Sequence, residues 1–281
     1  MKKLYLPVQS PTLRSETQHP GYSYREYSPS ARLSTHVACY WTVEWDARAD
    51  SQPHRILPDG CVDIIVDRRA SSARYAAFVT GLMTSYLVMD LTGEQSTLGI
   101  RMFTESARLI LGVPVSEFYS RQVFLEELWG AEGLHLVEQF LQADDVSELI
   151  AMAERKLDVL LSRLPNVNTI LPSVVHDGLG YIYDSKGVLS TAGLADKLGY
   201  SERHLRRGFE RELGLGPKEM LGIIRFQSML RDIHSGAGAR LGYADLAAKY
   251  GYYDQSHLIK TFKRYYGMPP TQVWGAFSDR L

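Results

Sequence analysis

A chain of 281 residues that is 45% hydrophobic and 22% charged has room for two ordinary domains and is too apolar for a disordered tract. It carries no apolar run of membrane-spanning length, and its only cysteines, Cys39 and Cys61, exclude a disulfide framework and a four-cysteine zinc site. The formal net charge of −1 hides an asymmetry: residues 186–281 hold 15 Lys/Arg and 9 Asp/Glu, a balance of +6, and residues 1–185 hold the other 16 and 23, a balance of −7.

Lys2 and Lys3 are followed by Pro7, Gln9, Ser10 and Pro11 rather than by an apolar signal core, so a soluble cytoplasmic protein without a signal peptide is expected. Residues 1–35 are rich in Ser, Pro and Thr and have little period, which predicts a loosely ordered arm or an edge strand. From His36 to Phe103 the pattern is β. His36 to Trp45 is aromatic and β-branched, and His54-Arg55-Ile56-Leu57 and Cys61 to Asp67 flank the turn signal Pro58-Asp59-Gly60. Further short strands fit near 75–80, 85–91 and 96–103, which predicts a small barrel or sandwich. Short helices fit 104–111 and 132–142. A longer one fits 146–164, where Leu149, Ala153, Leu157, Leu160 and Leu164 form one apolar stripe. That stripe has two readings, packing on its own barrel or contact with a second copy in a homodimer. Pro165-Asn166-Val167-Asn168 reads as the boundary between a domain of residues 1–165 and one of residues 169–281, the latter opening with a helix over 169–184.

The strongest signal is an internal repeat. Leu194-Ala195-Asp196-Lys197-Leu198-Gly199-Tyr200-Ser201 returns as Leu246-Ala247-Ala248-Lys249-Tyr250-Gly251-Tyr252-Tyr253, 52 residues later. Each copy continues into a second helix and stops, at Gly214-Leu215-Gly216-Pro217 and at Gly267-Met268-Pro269-Pro270. The positions suit two helix-turn-helix units, at about 190–213 and 243–266. Ala195 and Ala247 allow two helices to cross closely. Gly199 and Gly251 supply a turn with positive φ. Ser201 and Asp254 cap the second helices, and Leu205 with Phe209, and Leu258 with Phe262, face a small core. Once that stripe is removed, Arg203, Arg206, Arg207 and Arg211 remain on the first second-helix. Gln255, Ser256, His257, Lys260, Lys263 and Arg264 remain on the other. These side chains, together with Ser201 at the start of the first of these helices, suit phosphates and major-groove base edges.

The run Ala247-x3-Gly251-Tyr252-x-Asp254-Gln255-Ser256-His257-Leu258-x3-Phe262-Lys263-x3-Gly267-Met268-Pro269-Pro270 resembles the signature of the AraC/XylS family of bacterial transcription regulators. The resemblance covers about residues 169–281. It implies an all-α domain of seven helices, with two helix-turn-helix units joined by a long helix, here 218–234 and roughly 25 Å long. It also implies base readers at Arg203, Arg206 and Arg207, and at Gln255, Ser256 and Lys260. Gly208 inside the first reading helix costs it about 1 kcal/mol against alanine and lowers its rigidity; Ile259 is placed to touch a thymine methyl. The N-terminal part resembles a β-rich domain found on some of these regulators through His54 to Ile64, Gly99-Ile100-Arg101-Met102, Leu111-Gly112-Val113-Pro114 and Leu128-Trp129-Gly130.

The expectation is an α+β protein that binds promoter DNA as a transcription activator, contacts RNA polymerase and answers to an unidentified small-molecule effector. Residues 169–281 are expected to bind DNA alone, as a monomer. No cofactor, metal, catalytic residue or membrane contact is read from the sequence. The alternative is a metal-sensing or enzymatic barrel with an accessory DNA-binding domain. His36, His54, Asp59 and Cys61 are its only candidate ligands, and they lack a His-x-His pair on one strand.

Overall fold

The computed structural model describes residues 5–13, 21–46, 52–119, 121–163, 172–235 and 241–274. In chain order its elements are α1 (Ser10–Leu13), β1 (Tyr22–Tyr27), β2 (Val37–Trp45), β3 (Gln52–Ile56), β4 (Cys61–Asp67), α2 (Ala73–Ala76), β5 (Ala77–Thr80), β6 (Leu87–Leu91), β7 (Gln95–Phe103), α3 (Thr104–Leu111), a 3-10 turn at Val115–Phe118, β8 (Val123–Phe124), α4 (Leu125–Gln142) and α5 (Val146–Ser162). Seven more helices complete the described residues: α6 (Ser173–Asp184), α7 (Thr191–Leu198), α8 (Glu202–Leu213), α9 (Pro217–His234), α10 (Tyr243–Lys249), α11 (Gln255–Tyr266) and α12 (Pro270–Trp274).

The alternation in Cys61-Val62-Asp63-Ile64-Ile65-Val66-Asp67 sends Val62, Ile64 and Val66 to one side of the sheet, where all three are fully buried. Leu98, Ile100 and Met102 of β7 join them, and Ala107 and Ile110 of α3, Phe140 of α4 and Leu149, Ala153 and Leu157 of α5 complete that core. The sheet is antiparallel in the order β1-β2-β7-β4-β5-β8, and β3 pairs only with β6 in a separate two-stranded ribbon. The other face of the sheet carries Cys39, Trp41, Val43 and Trp45 of β2 with Tyr22 of β1, and Leu91 of the ribbon packs onto them. The arrangement is sandwich-like, and the barrel expectation is corrected: β1 and β8, at opposite ends of the strand order, do not pair.

Several local expectations also change. Pro58-Asp59-Gly60 lies between β3 and β4, as the turn signal suggests, but the two strands enter different sheets. Of the two readings of residues 1–35, the edge strand is present as β1, and Tyr5, Gln9 and Ser10 are buried. The expected helix at 132–142 is present as the second stretch of α4; a further helical stretch from Leu125 precedes it, and the two are separated at Gly130, whose φ of 58° only glycine adopts cheaply. Leu149, Ala153 and Leu157 of the α5 stripe pack into their own core and offer no contact to a second copy; Leu160 is half-buried, and Leu164 lies outside the described residues. The boundary at 165–168 lies outside the described residues.

Helix α9 is buried on most of its circumference, with Met220, Ile223, Ile224, Phe226, Met229 and Leu230 all nearly inaccessible. Both helix-turn-helix units lean on it: Phe226 meets Phe262 edge-on at 5.5 Å and Tyr265 at 5.1 Å. Its remaining side faces the β-rich part. Gly60 comes so close that a Cβ there would sit 3.2 Å from Ile224. Tyr5 stacks on Tyr183 of α6 at 5.2 Å, its hydroxyl donating to the carbonyl of Asp59. Among the described residues, no helix is long and apolar enough to cross a membrane.

Candidate nucleic-acid interface

Each helix-turn-helix unit is fixed by its backbone caps. In the first, Ser190 accepts from Gly193 N at the start of α7, and Gly199 closes it in the left-handed region at φ 69°. Ser201 then accepts from His204 N at 3.2 Å to start α8. Ala195 is buried where α7 meets α8, with Leu205 and Phe209 beneath it. The second unit repeats this: Gly251 has φ 65°, Asp254 accepts from His257 N at 2.7 Å, and Ala247, Leu258 and Phe262 are buried. Both second helices end on left-handed glycines, Gly214 and Gly267.

This geometry leaves Arg203, Arg206, Arg207 and Arg211 exposed on α8, and Gln255, Ser256, Lys260, Lys263 and Arg264 exposed on α11. Arg206 lies 3.4 Å from Glu210 in an exposed ion pair, which competes only weakly with a phosphate or base. Two residues have local duties. Ser201 spends its hydroxyl on the cap, and the His257 ring accepts from Tyr253 N at 3.2 Å and abuts Tyr252. His257 therefore organises the start of α11 from an exposed position. Ile259 is half-buried, with part of its side chain packed against the core.

Gly208 has a different reason from the one its helix position suggests. It is buried, and a Cβ there would meet Val174 of α6 at 3.0 Å. The glycine lets α6 lie against α8, so its cost in helix propensity accompanies closer packing. The sequence reading also missed an aromatic pair and a lone ring beside the readers. Tyr200 stacks on His204 at 4.8 Å just ahead of α8. Tyr253, next to the cap of α11, is 92% exposed. An aromatic residue in the repeat's turn was the available signal.

The candidate metal ligands have other partners, and neither cysteine is a reactive thiol. His36 hydrogen-bonds Ser106, and His54 hydrogen-bonds Tyr22. Asp59 pairs with Arg101 at 3.0 Å. Burial pushes the Cys39 thiol up to about 12 and Cys61 well above the usual thiol range, so both stay protonated and unreactive at neutral pH. Among the described residues, no group of three or more His, Cys, Asp or Glu is placed to hold a metal ion. Arg101 itself is a buried cation that the sequence did not announce. It lies between Asp59 and Asp63, with Trp41 donating its indole N–H to Asp63 at 3.0 Å.

Two tandem helix-turn-helix units on one central helix, each with an exposed cationic or hydrogen-bonding second helix, define a double-headed DNA-binding regulator. A family model described as a helix-turn-helix domain matches residues 194–274, and one described as a domain of unknown function (DUF6597) matches residues 25–124. The multiple antibiotic resistance protein MarA of Escherichia coli is 33% identical over 98 residues, covering 34% of this chain and 74% of MarA. A probable thc operon regulatory protein of Rhodococcus erythropolis is 25% identical over 244 residues, covering 80% of this chain and 69% of that protein. Among solved structures, apo ToxT of Vibrio cholerae covers 92% of this chain and 98% of its own at 11% identity, with a TM-score of 0.41. The chain belongs to the AraC/XylS family of transcription regulators.

Proposed function

We propose that α8 and α11 enter two successive major grooves of a promoter and read an asymmetric site of about two helical turns, with one monomer supplying both heads. The observation that carries this is the repetition: two helices capped at equivalent positions, by Ser201 and by Asp254, present their donors on the face opposite the buried stripe. Arg203, Arg206 and Arg207 read bases in one half, and Gln255, Ser256 and Lys260 in the other. Arg211, Lys263 and Arg264 hold phosphates, and Ser201 and His257 orient the helix starts. Activation through contact with RNA polymerase, in the bacterial cytoplasm, follows the family resemblance. Selection of bound duplexes from a random library by the full chain tests this; a two-part consensus supports it, and retention without any sequence preference contradicts it.

A second reading concerns the β-rich part, which we propose holds a small-molecule effector between the sheet and the ribbon. Leu87 and Met89 lie on the same ribbon face as His54 and Leu91, the face turned toward the sheet. They nevertheless remain 46% and 48% exposed, as residues at the mouth of an opening would. Thermal-shift screening of the full chain against metabolites tests this reading, and stabilisation that a charge placed at Met89 abolishes is the expected result.

A further inference from the structure

The two recognition helices end at equivalent points of the repeat, Gly214 and Gly267, and the β-rich part grips both ends. At the end of α11, Arg55 of β3 donates from Nη1 to the carbonyl of Tyr266 at 2.7 Å. Its guanidinium lies between the rings of Tyr86 and Tyr266, 5.2 and 5.7 Å from their centroids. Gly267 has no room for a side chain, because a Cβ would meet Arg55 and Tyr86. At the end of α8, Ser116 of the 3-10 turn donates to the carbonyl of Arg211 at 2.7 Å. Arg108 of α3 donates to both carboxylate oxygens of buried Glu212 at 2.6 and 2.5 Å. A Cβ on Gly214 would sit 3.3 Å from Ser116 and from Tyr119. Between these two grips, Gly60 and Gln227 fasten the middle of α9.

Resting on the double-headed reading above, we propose that the β-rich part is the ruler of the DNA-reading apparatus, with Arg55 and Ser116 as positioning residues that set the spacing and angle between the two recognition helices. The last carbonyls of a helix have no partner within it, so a donor held on a separate rigid body fixes where that end points. A cation at the C-terminus adds a favourable interaction with the helix dipole. Both grips lie at the ends remote from the capped N-terminal turns that carry Arg203 and Gln255, so the reading faces stay open while their relative placement is fixed. Residues 172–274 alone would keep both heads and lose the ruler.

The test uses the full chain and its selected duplex, with versions carrying one base pair inserted or deleted between the two half-sites. The parent protein should discriminate sharply by spacing. Arg55→Met combined with Ser116→Ala should cut that discrimination by about ten-fold while affinity for the native spacing falls less, and restoring position 55 as Lys should recover part of it. A merely structural role would weaken every duplex by one common factor, and that result, or an unchanged spacing profile, overturns the proposal. A DNA-free readout separates this from failure of the DNA-binding reading. Spin labels on Arg207→Cys and Lys260→Cys, with the native thiols buried, should give one narrow distance in the otherwise unaltered chain and a broad distribution in the double variant. Equal widths would overturn the ruler whatever the protein does with DNA.

Discussion

Gln227 and Pro58, 169 positions apart, share a buried hydrogen bond in which the Gln227 amide nitrogen donates to the Pro58 carbonyl at 2.9 Å. The same side chain accepts from Val8 N at 2.8 Å and donates to the Val8 carbonyl at 3.2 Å. One glutamine on α9 thereby satisfies backbone groups of both the N-terminal segment and the turn before β4. Gln227→Leu keeps the volume and strands the buried Pro58 carbonyl and two half-buried backbone groups of Val8, at a cost of about 1–3 kcal/mol. Chemical denaturation should show that loss; a variant as stable as the parent would mean that water reaches these groups.

Acid should act through His54. Burial, aided by the Arg101 charge, lowers its pKa from 6.5 to about 4, so the folded protein holds the neutral ring. The unfolded chain binds the proton first. This contribution is therefore complete above pH 6.5 and lost progressively as the pH falls toward 4, by at most about 3 kcal/mol. Denaturation profiles across that window should be steeper for the parent than for His54→Gln. Parallel profiles would show that His54 is not protected from protonation.

The two kinds of donor on the recognition helices should separate by their behaviour with salt and sequence. Arg203→Ala and Arg206→Ala should each relax preference in one part of the site, costing about 1–3 kcal/mol there. Lys263→Ala and Arg264→Ala should weaken all duplexes alike and flatten the dependence of affinity on salt. Fluorescence anisotropy on matched and mutated duplexes at several salt concentrations distinguishes them; uniform loss in all four variants contradicts the division of roles.

The helical part was legible because its signals are local. Caps at Ser201 and Asp254, left-handed glycines at Gly199 and Gly251, and i,i+4 apolar pairs each act within one turn of chain, and repetition made them unmistakable. The β-rich part was legible strand by strand but not as a sheet. Nothing near His54 announces that β3 pairs with β6 while β4 pairs with β7, since those partners are chosen by packing across the fold. Arg101 could not be read as a buried cation because its carboxylates, Asp59 and Asp63, become neighbours only once β4 lies beside β7. Gly208 looked like a weak point because its reason, Val174, is more than thirty residues away. The contacts of Arg55 and Ser116 with the recognition helices leave no trace in local pattern at all.

Hydroxyl-radical footprinting of the full chain on its selected duplex tests the central claim most directly. Two reading heads on one monomer predict two protected stretches about one helical turn apart and of unlike sequence. Arg203→Ala with Arg206→Ala should erase one stretch, and Gln255→Ala with Lys260→Ala the other. A single short protected stretch that both pairs of substitutions weaken equally would contradict the account.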